Sequence, residues 1–383
     1  MHGFPRGKTA IVGAATFGVG KSPGFEAIDL AAHAALRALA DAGLRPADVD
    51  ALFIAQPQDT LAGLTFSEYL GIRPKITDNN RSGGSAFLLQ LEHAALALDA
   101  GLCDVALIAY GSNQATASGA LVQTSRSSPH EAPYRPLRPI SSYALAAARH
   151  MHRYGTTKQQ LAEVAVAARR WAQLNPEATA RDDLSIDTVV NARMVSDPLG
   201  VRDCCLVTDG AAAIVLTRSD RARDLHVRPI HVLAAAAAVT HADISAMPDL
   251  TVTGAVESGA RAYAQAGVTA ADIDVVQVYD AFTINTILFL EDLGFCAKGE
   301  GGAFVSGGRI APGGALPVNT SGGGLSYCHP GMFGLFTLVE SVRQLRGEAG
   351  DRQVHGAELA LAHANGGVLS SQATAILGTA ATL

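Results

Sequence analysis

Three groups of polar side chains in the second half of the sequence each follow an apolar or glycine-rich run. The runs are 274–278, 322–324 and 358–362. The side chains that follow them are Tyr279 and Asp280, then Tyr327, Cys328 and His329, and then His363. Glycine lets the backbone pass close to a ligand, and the next residues can present side chains to it.

Phenol and imidazole groups can transfer protons, so these positions suggest acid–base chemistry. A single Tyr or His is more often an ordinary core or surface residue. The shared position of Tyr279, Tyr327, His329 and His363 at the ends of such runs favours the functional interpretation. We therefore predict that these four side chains meet at one site.

The elements that must position this site are repeated along the chain. The segment AGLRPADVDALFIAQ at 42–56 is matched by AGVTAADIDVVQVYDAF at 266–282, each with a helix-ending glycine, a short turn and a buried strand. A second pair, 87–112 and 333–366, reads helix, strand and glycine in both copies. We infer that one α/β unit has been duplicated. We predict a mixed or parallel sheet that is covered by helices, with a ligand site beyond the ends of its strands.

An irregular insertion separates the two copies. Residues 111–140 are rich in Ser, Pro, Gly and Gln, and helices are predicted over 141–154 and 158–175. The predicted organisation is a first half at 1–112, an inserted loop and helical region at 113–200, a return strand within 201–230, and a second half at 231–383. The insertion is either a lid or substrate surface or a dimer contact, and its sequence fits both.

Composition excludes several classes of protein. The chain has 383 residues, 48% of them hydrophobic and 17% charged, with a net charge of -6. A folded globular protein is indicated, and no basic run suggests nucleic-acid binding. The longest Ala-rich apolar run, 232–240, is much shorter than the roughly 20 residues of a membrane-spanning helix. The first residues lack the apolar core of a signal peptide, so we predict a cytoplasmic protein with no membrane contact.

The cysteines and histidines do not form a metal-binding pattern. The five cysteines are scattered, without paired CxxC spacing, which favours reduced thiols over disulfides or a zinc site. His150 and His152 are two residues apart, so on a helix they point to different faces. No metal site is predicted.

Six ordered motifs resemble those of the thiolase superfamily, most closely its sterol-carrier and lipid-transfer branch, over nearly the whole chain. The motifs are HMHRYGTT at 150–157, SDP at 196–198, CCLVTDGAAAIVLT at 204–217, YDAF at 279–282, EDLGFCAKGEGG at 291–302 and VNTSGGGLSYCHPG at 318–331. The resemblance implies an α/β thiolase fold with a duplicated αβαβα core, a homodimer, and an acyl-CoA thioester as ligand.

Two departures from the thiolase pattern bear on chemistry. Thiolases place a nucleophilic cysteine at the start of the helix that here follows Ser82, and the matching position is Gly84 or Ser85. The second thiolase cysteine corresponds to His363. Acyl transfer through these two cysteines is therefore disfavoured.

The residues that remain resemble those of the steroid side-chain aldolases of the lipid-transfer branch. His329 matches a thiolase histidine that polarises the thioester oxygen, and Tyr279 stands where thiolases have Asn or His. In these aldolases two tyrosines, matched by Tyr279 and Tyr327, are the proposed acid and base. The expected reaction is retro-aldol cleavage of a β-hydroxyacyl-CoA, with His363, Asp280, Cys328 and Asn319 as possible supporting residues.

The resemblance also implies a small partner protein with an OB-fold and a zinc ribbon that holds part of the CoA thioester in a heterotetramer. No cofactor is expected beyond the coenzyme A of the substrate. Two alternatives stay open at this point: a non-catalytic protein that binds acyl-CoA or lipid, and an acyltransferase that uses Ser85. The ring system of the substrate is not defined by the sequence.

Overall fold

The computed structural model of the protein describes residues 3–57, 59–117 and 129–383. Part of the predicted loop at 111–140 therefore lies outside the described residues. The strands are β1 (Thr9–Gly20), β2 (Ala51–Ile54), β3 (Ile76–Asn79), β4 (Val105–Ser112), β5 (Met194–Ser196), β6 (Leu199–Gly200), β7 (Asp209–Arg218), β8 (Ile230–Val239), β9 (Val275–Val278), β10 (Leu359–Gly366) and β11 (Ser371–Gly378). The helices are α1 (Ala27–Asp41), α2 (Ala62–Leu70), α3 (Ala86–Asp99), α4 (Ile140–Tyr154), α5 (Lys158–Gln173), α6 (Ile186–Val190), α7 (Ser219–Ala222), α8 (Ala255–Ala266), α9 (Thr283–Asp292), α10 (Gly301–Val305) and α11 (Gly334–Arg346).

Nine strands form one mixed sheet in the order β3-β2-β4-β7-β1-β8-β11-β10-β9. Pairing is parallel between β2 and β3, between β2 and β4, and between β9 and β10, and the remaining neighbours are antiparallel. The two halves of the sheet join at β1 and β8, where Ala10 pairs with His231 and Ile11 with Ile230. The strands β2, β4, β9 and β10 are mostly apolar and almost fully buried, as expected for strands covered on both faces.

The predicted duplication is visible in the order of the strands. The first half runs β3-β2-β4-β7-β1, and the second half repeats it as β9-β10-β11-β8. In the second half a single parallel bridge, from Val276 to Val318, takes the place of β3. Helix α1 of the first half corresponds to α8 of the second half, and α3 corresponds to α11.

Helices α3 and α11 form a central layer because each contacts strands of both sheet halves and the other helix. Helices α1 and α2 cover the outer face of the first half through a separate core cluster that includes Leu30, Leu52 and Phe66. Helix α8 covers the outer face of the second half. The layers are those of the predicted αβαβα thiolase fold.

The last parallel strand is longer than the sequence pattern indicated. We expected a strand over 358–362 that ends before His363, but β10 continues to Gly366. His363 pairs with Thr374 and Asn365 with Gln372 across the β10–β11 ladder. That prediction was wrong because backbone pairing with β11 continues past the apolar run, through polar side chains that are themselves hydrogen-bonded.

The inserted region is fixed to the second half through a buried polar cluster. His150 on α4 places Nε2 at 3.0 Å from Oε1 of Glu291 on α9, and its Nδ1 at 2.8 Å from the Thr156 hydroxyl. Lys298 Nζ lies 3.1 Å from the other oxygen of Glu291, whose side chain is fully buried. The Gly301 amide also donates to this carboxylate at 2.8 Å.

Within the described part of the chain, none of the helices has the length and apolar character needed to cross a lipid bilayer. Among the same residues no group of three or more His, Cys, Asp or Glu side chains is placed to hold a metal ion.

The substitution Glu291→Gln should lower the free energy of unfolding by about 2 kcal/mol, because it removes the buried charge that pairs with Lys298 and His150, although Lys298 keeps its second carboxylate partner, Asp292. Burial would raise the pKa of Glu291, but the His150 hydrogen bond and Lys298 hold it below its ordinary value of 4.5. The extra stability of the wild type over the variant is therefore fully present above pH 4.5. It is lost as the pH falls through the lower pKa that Glu291 has in the folded state. Denaturant unfolding at several pH values measures both effects.

The matched control is Glu257→Gln, which removes a carboxylate that lies 3.8 Å from Arg261 in an exposed helical pair. We expect this control to change stability by less than about 0.5 kcal/mol. Equal stabilities of the Glu291→Gln and Glu257→Gln variants would show that the cluster does not hold the insertion in place.

Candidate functional site

The site begins where a glycine meets a tyrosine ring. Gly84 lies in a single turn of 3-10 helix, Gly83–Ser85, that leads into α3. A methyl group at Gly84 would lie 2.2 Å from Cε2 and 2.9 Å from Cζ of Tyr279, and 2.7 Å from the carbonyl oxygen of Asn365. The ring of Tyr279 thus fills the space that a side chain at position 84 would need.

Tyr279 and His329 form the polar centre of the site. The Tyr279 hydroxyl lies 2.9 Å from Nε2 of His329, and it lies 3.4 Å from the carbonyl oxygen of Gly331. Phe333 packs edge-on against the Tyr279 ring and stacks with His329. Tyr279 follows β9, and its amide donates to the carbonyl of His363 on β10, so the sheet fixes its backbone.

Burial keeps both members of this pair uncharged. Tyr279 is 4% exposed and His329 is 8% exposed. Burial raises the pKa of Tyr279 well above its ordinary value and lowers the pKa of His329 to about 4. At neutral pH the phenol is therefore protonated, the imidazole is neutral, and Nε2 can accept the phenol proton.

A tight turn held by Asp280 presents His329. The segment Gly323–Tyr327 forms one turn of π-helix, and Asp280 accepts hydrogen bonds from the amides of Gly324 at 2.6 Å and Leu325 at 3.3 Å. Gly323 has φ of 61°, and a methyl group there would lie 2.1 Å from a carboxyl oxygen of Asp280. Burial raises the pKa of Asp280 to about 7. Its hydrogen bonds to the two amides show that this carboxyl holds the turn.

The surroundings of Asn319 and Cys328 indicate structural roles for both side chains. The Asn319 side chain accepts a hydrogen bond from the Val278 amide at 2.8 Å and so fixes the end of β9, one residue before Tyr279. Cys328 is fully buried, and burial raises the pKa of its thiol well above its ordinary value. The His329 amide donates to the Thr208 hydroxyl at 3.0 Å.

Tyr327 points to a different group of residues. Its hydroxyl donates to Oε2 of Glu177 at 3.0 Å, and Arg343 donates to the same oxygen at 3.0 Å. The Thr16 hydroxyl donates there at 3.1 Å. Burial would raise the pKa of Glu177, but Arg343 and these hydrogen bonds hold it below its ordinary value. Tyr327 thus joins β1, the insertion and α11.

His363 is also held outside the Tyr279 centre. Its ring nitrogens lie 2.9 Å from the Thr374 hydroxyl and 3.0 Å from Oε1 of Gln372, both on β11. Burial lowers its pKa to about 3, so the imidazole stays neutral. The structure therefore brings Tyr279 and His329 together and places the Tyr327 hydroxyl and the His363 ring in separate hydrogen-bond networks.

Ser85, the alternative nucleophile, is part of the local architecture. Its hydroxyl donates to the carbonyl of Ser82 at 3.1 Å and lies 2.9 Å from the Ser371 hydroxyl. The side chain is fully buried. These partners are hydroxyl and carbonyl groups, and neither type can serve as a general base for the serine.

Sequence reasoning missed Tyr143, a residue of the inserted helix α4. Its hydroxyl accepts from the Asn365 side chain at 2.8 Å and donates to the Gly367 carbonyl at 3.1 Å. Its ring packs 4.4 Å from that of Phe282. Asn365 in turn borders Gly84, so α4 supports the wall of the site. The sequence gives no local signal for this role, because Tyr143 lies in an ordinary helical pattern.

Two helices begin at the site. A methyl group at Gly334, the first residue of α11, would lie 2.0 Å from the carbonyl oxygen of Gly84, which precedes α3. The amino ends of α3 and α11 therefore meet beside Tyr279. Helix amino ends carry partial positive charge and favour an anion that forms near them. The arrangement suits a reaction that moves a proton and develops negative charge.

Comparison with known proteins adds the family. Residues 236–379 match the family model described as "Thiolase C-terminal domain-like". The acetyl-CoA acetyltransferase of Methanothermobacter thermautotrophicus is 37% identical, over 88% of this chain and 91% of that protein. The 17-hydroxy-3-oxo-4-pregnene-20-carboxyl-CoA lyase of Mycobacterium tuberculosis is 36% identical, over 95% of this chain and 98% of that protein.

A solved structure extends the similarity to three dimensions. The Ltp2-ChsH2(DUF35) aldolase superposes with a TM-score of 0.89 at 32% identity and covers 98% of both chains. The similarity therefore spans both halves and the insertion. The chain belongs to the thiolase superfamily, in the sterol-carrier and lipid-transfer branch that includes steroid side-chain-cleaving aldolases.

Proposed function

We propose that this protein is a carbon–carbon lyase that cleaves a β-hydroxyacyl-CoA by retro-aldol reaction into a ketone and a shorter acyl-CoA. The observation that carries the proposal is the buried pair of Tyr279 and His329, whose hydroxyl and Nε2 lie 2.9 Å apart beside Gly84, a residue with no side chain. The centre therefore has a proton-transfer pair where acyl transfer would require a nucleophile.

The first step is removal of the proton from the β-hydroxyl of the substrate. Both Tyr279 and His329 are neutral, so neither can act alone as a strong base. We propose that the Tyr279 oxygen accepts the substrate proton while its own proton moves to Nε2 of His329. The bond between the α and β carbons then breaks. The β carbon becomes the carbonyl carbon of the ketone, and the electron pair of the broken bond forms the thioester enolate.

The second step is protonation of the enolate carbon. The imidazolium that forms on His329 and the amino ends of α3 and α11 place positive charge near the enolate. The proton then returns from His329 through Tyr279 to the α carbon, which yields the acyl-CoA and restores the starting state of both side chains. The proton balance closes without a covalent acyl-enzyme.

Tyr327 has a different part in this proposal. Its hydroxyl is bound to Glu177 and not to Tyr279. It lies two residues before His329 on the turn that presents the imidazole. We propose that Tyr327 is a positioning residue, whereas the family resemblance implied a direct acid or base role.

One relative and one solved structure support the substrate class that we propose. One relative is a 17-hydroxy-3-oxo-4-pregnene-20-carboxyl-CoA lyase, and the matching structure is an aldolase with a DUF35 component. We infer that the substrate is a steroid side-chain CoA thioester, that the short product is an acyl-CoA such as propionyl-CoA, and that no cofactor is needed beyond its coenzyme A. An OB-fold and zinc-ribbon partner, assembled with a homodimer of this chain into a cytoplasmic heterotetramer, would hold part of the thioester.

Two alternatives are less well supported. A function as a non-catalytic acyl-CoA or lipid carrier does not explain the hydrogen bond between Tyr279 and His329. An acyltransferase that uses Ser85 lacks a base at the hydroxyl of that serine. The similarity to an acetyl-CoA acetyltransferase supports the superfamily. The family resemblance matches the thiolase nucleophile to Gly84 or Ser85, and neither residue is a cysteine.

The proposed activity is tested by co-expressing the chain with its OB-fold partner and measuring release of propionyl-CoA from a steroidal β-hydroxyacyl-CoA. Tyr279→Phe should lower kcat by at least about 100-fold, because the proton relay loses its hydroxyl. Tyr327→Phe removes only a hydroxyl that donates to Glu177, and it should lower kcat by less than about tenfold. It should also lower the stability of the fold by the contribution of one hydrogen bond to a charged group.

Thermal unfolding and binding of the CoA ester check that both variants are folded. Equal loss of activity in the two variants, with binding retained, would support a division of acid and base roles between the tyrosines. A wild-type complex that binds the ester but releases no acyl-CoA would support the carrier alternative.

The pH dependence of kcat/KM tests the role of His329. Protonation of the imidazole removes the acceptor for the Tyr279 proton, so activity should fall on the acid side with an apparent pKa of about 4, well below the ordinary His value of 6.5. The raised pKa of Tyr279 predicts no loss of activity from phenol ionisation on the alkaline side up to pH 10.

In His329→Gln the remaining activity should not show this acid limb. The variant Asp280→Asn is the control for the other buried group of the turn, whose carboxyl has its pKa raised to about 7. An acid limb near pH 6.5 that persists in Asp280→Asn, or a limb near pH 4 that persists in His329→Gln, would contradict the proposed relay.

A further inference from the structure

The side chain of Gln114 is buried beside the turn that carries His329, but the fold does not use its amide group. Gln114 follows β4 and is 7% exposed. Among the residues that the structure describes, none forms a hydrogen bond with this carboxamide. Buried polar side chains usually have a hydrogen-bond partner, because an unpaired amide costs free energy. An unpaired amide at the edge of the proposed active site therefore indicates that its partner is a ligand.

One residue, Gly331, separates the carboxamide from the proton relay. A methyl group at Gly331 would lie 2.5 Å from Oε1 of Gln114, and the φ of Gly331 is 86°, so this position must stay without a side chain. The carbonyl oxygen of Gly331 lies 3.4 Å from the Tyr279 hydroxyl. The turn is fixed at Pro330, whose carbonyl accepts a hydrogen bond from the Tyr110 hydroxyl. Gln114 and Tyr279 therefore lie against the same glycine.

The backbone that carries Gln114 is fixed, so the carboxamide is presented from a rigid base. The amides of Ala115 and Thr116 both donate to Oδ1 of Asp209, at 2.8 Å and 3.1 Å. Asp209 is the first residue of β7 and is fully buried. Donors that are fixed in advance do not have to be reorganised during a reaction, which makes them effective at stabilising a charge that develops.

Two oxygen atoms of the proposed substrate come to this centre. The β-hydroxyl gives its proton to Tyr279 in the proposed relay. The thioester oxygen receives negative charge when the bond between the α and β carbons breaks, and a hydrogen-bond donor at this oxygen lowers the barrier. A carboxamide has two N–H donors, and rotation about its last torsion exchanges its NH₂ group with its oxygen. Gln114 can therefore donate to the thioester oxygen, and it adds no charge beside His329.

We propose that Gln114 binds the thioester oxygen of the substrate through Nε2 and holds this oxygen as the enolate forms. The residue thus favours ligands with a thioester carbonyl at this centre, and it stabilises the charge that cleavage produces. The description of that charge as an enolate rests on the function proposed above. Binding of the carbonyl oxygen does not require cleavage, so the two can be measured separately.

The proposal is tested by pairing a change in the protein with a change in the ligand. Propionyl-CoA and S-propyl-CoA have the same length, but the thioether lacks the carbonyl oxygen. Gln114→Met keeps the length of the side chain and removes its amide. Isothermal titration of the complex with the OB-fold partner gives the ratio of the two affinities. We expect the preference for propionyl-CoA to fall at least about threefold in Gln114→Met, which is the effect of one hydrogen bond.

Thermal unfolding of the ligand-free complex separates a ligand role from a structural role. Because the carboxamide has no partner within the described part of the chain, Gln114→Met should leave Tm unchanged or raise it. The matched control is Asn113→Leu, because Asn113 is the adjacent residue and its side chain donates to the Phe25 carbonyl at 3.2 Å. This control should lower Tm and leave the ligand preference unchanged.

The rate of cleavage gives a third measurement. Gln114→Met should lower kcat at least about tenfold with a steroidal β-hydroxyacyl-CoA, because the enolate needs the donor more than the thioester carbonyl does. An unchanged ligand preference, an unchanged kcat or a lower Tm in Gln114→Met would overturn the role of Gln114, while cleavage by the wild type would uphold the proposed function. A wild type that releases no acyl-CoA but shows the coupled ligand preference would refute the proposed function and uphold the binding role.

Discussion

The contact between the Tyr279 ring and the backbone of Gly84 is the constraint on which the site depends. A residue with any side chain at the start of α3 would push the phenol away from His329. The same turn must also fit beneath Asn365 and beside Gly334, so α3, α11, β9 and β10 are all positioned relative to this one point. The layered fold supplies the four elements, and the missing side chain at position 84 lets them close around a phenol.

Burial then determines the proton chemistry of the pair. In an exposed position Tyr and His would titrate near their ordinary values, and water would compete for both groups. In this site burial raises the pKa of Tyr279 and lowers that of His329, so both are neutral over a wide pH range. Such a pair can pass a proton without holding a charge at rest, and the amino ends of two helices would favour the enolate anion of the proposed reaction.

Much of the fold could be predicted from the sequence because the duplicated unit leaves its periodicity in both halves. The helices α1, α3, α8 and α11 and the strands between them follow apolar spacing, and Gly267 ends α8 as expected. The end of β10 could not be predicted, because hydrogen-bonded polar residues continue the strand past the apolar run.

The site was predicted in part, and the limits have a physical reason. Position along the chain selected Tyr279 and His329, which follow buried or glycine-rich segments and whose side chains lie within hydrogen-bond distance in the structure. Position in the sequence does not show which way a side chain points. We therefore expected Tyr327 beside Tyr279, but its hydroxyl donates a hydrogen bond to Glu177. Glu177, Arg343 and Tyr143 come from distant segments, and only the assembled layers bring them to the polar networks around the site.

The most direct test of the central claim is a cleavage reaction in D₂O without free coenzyme A. A proton relay without an acyl-enzyme predicts equal amounts of ketone and acyl-CoA, with one deuterium at the α carbon of the acyl-CoA, because the enolate takes its proton from a solvent-exchangeable group. A requirement for added coenzyme A, or acyl groups on the protein in its absence, would contradict this account.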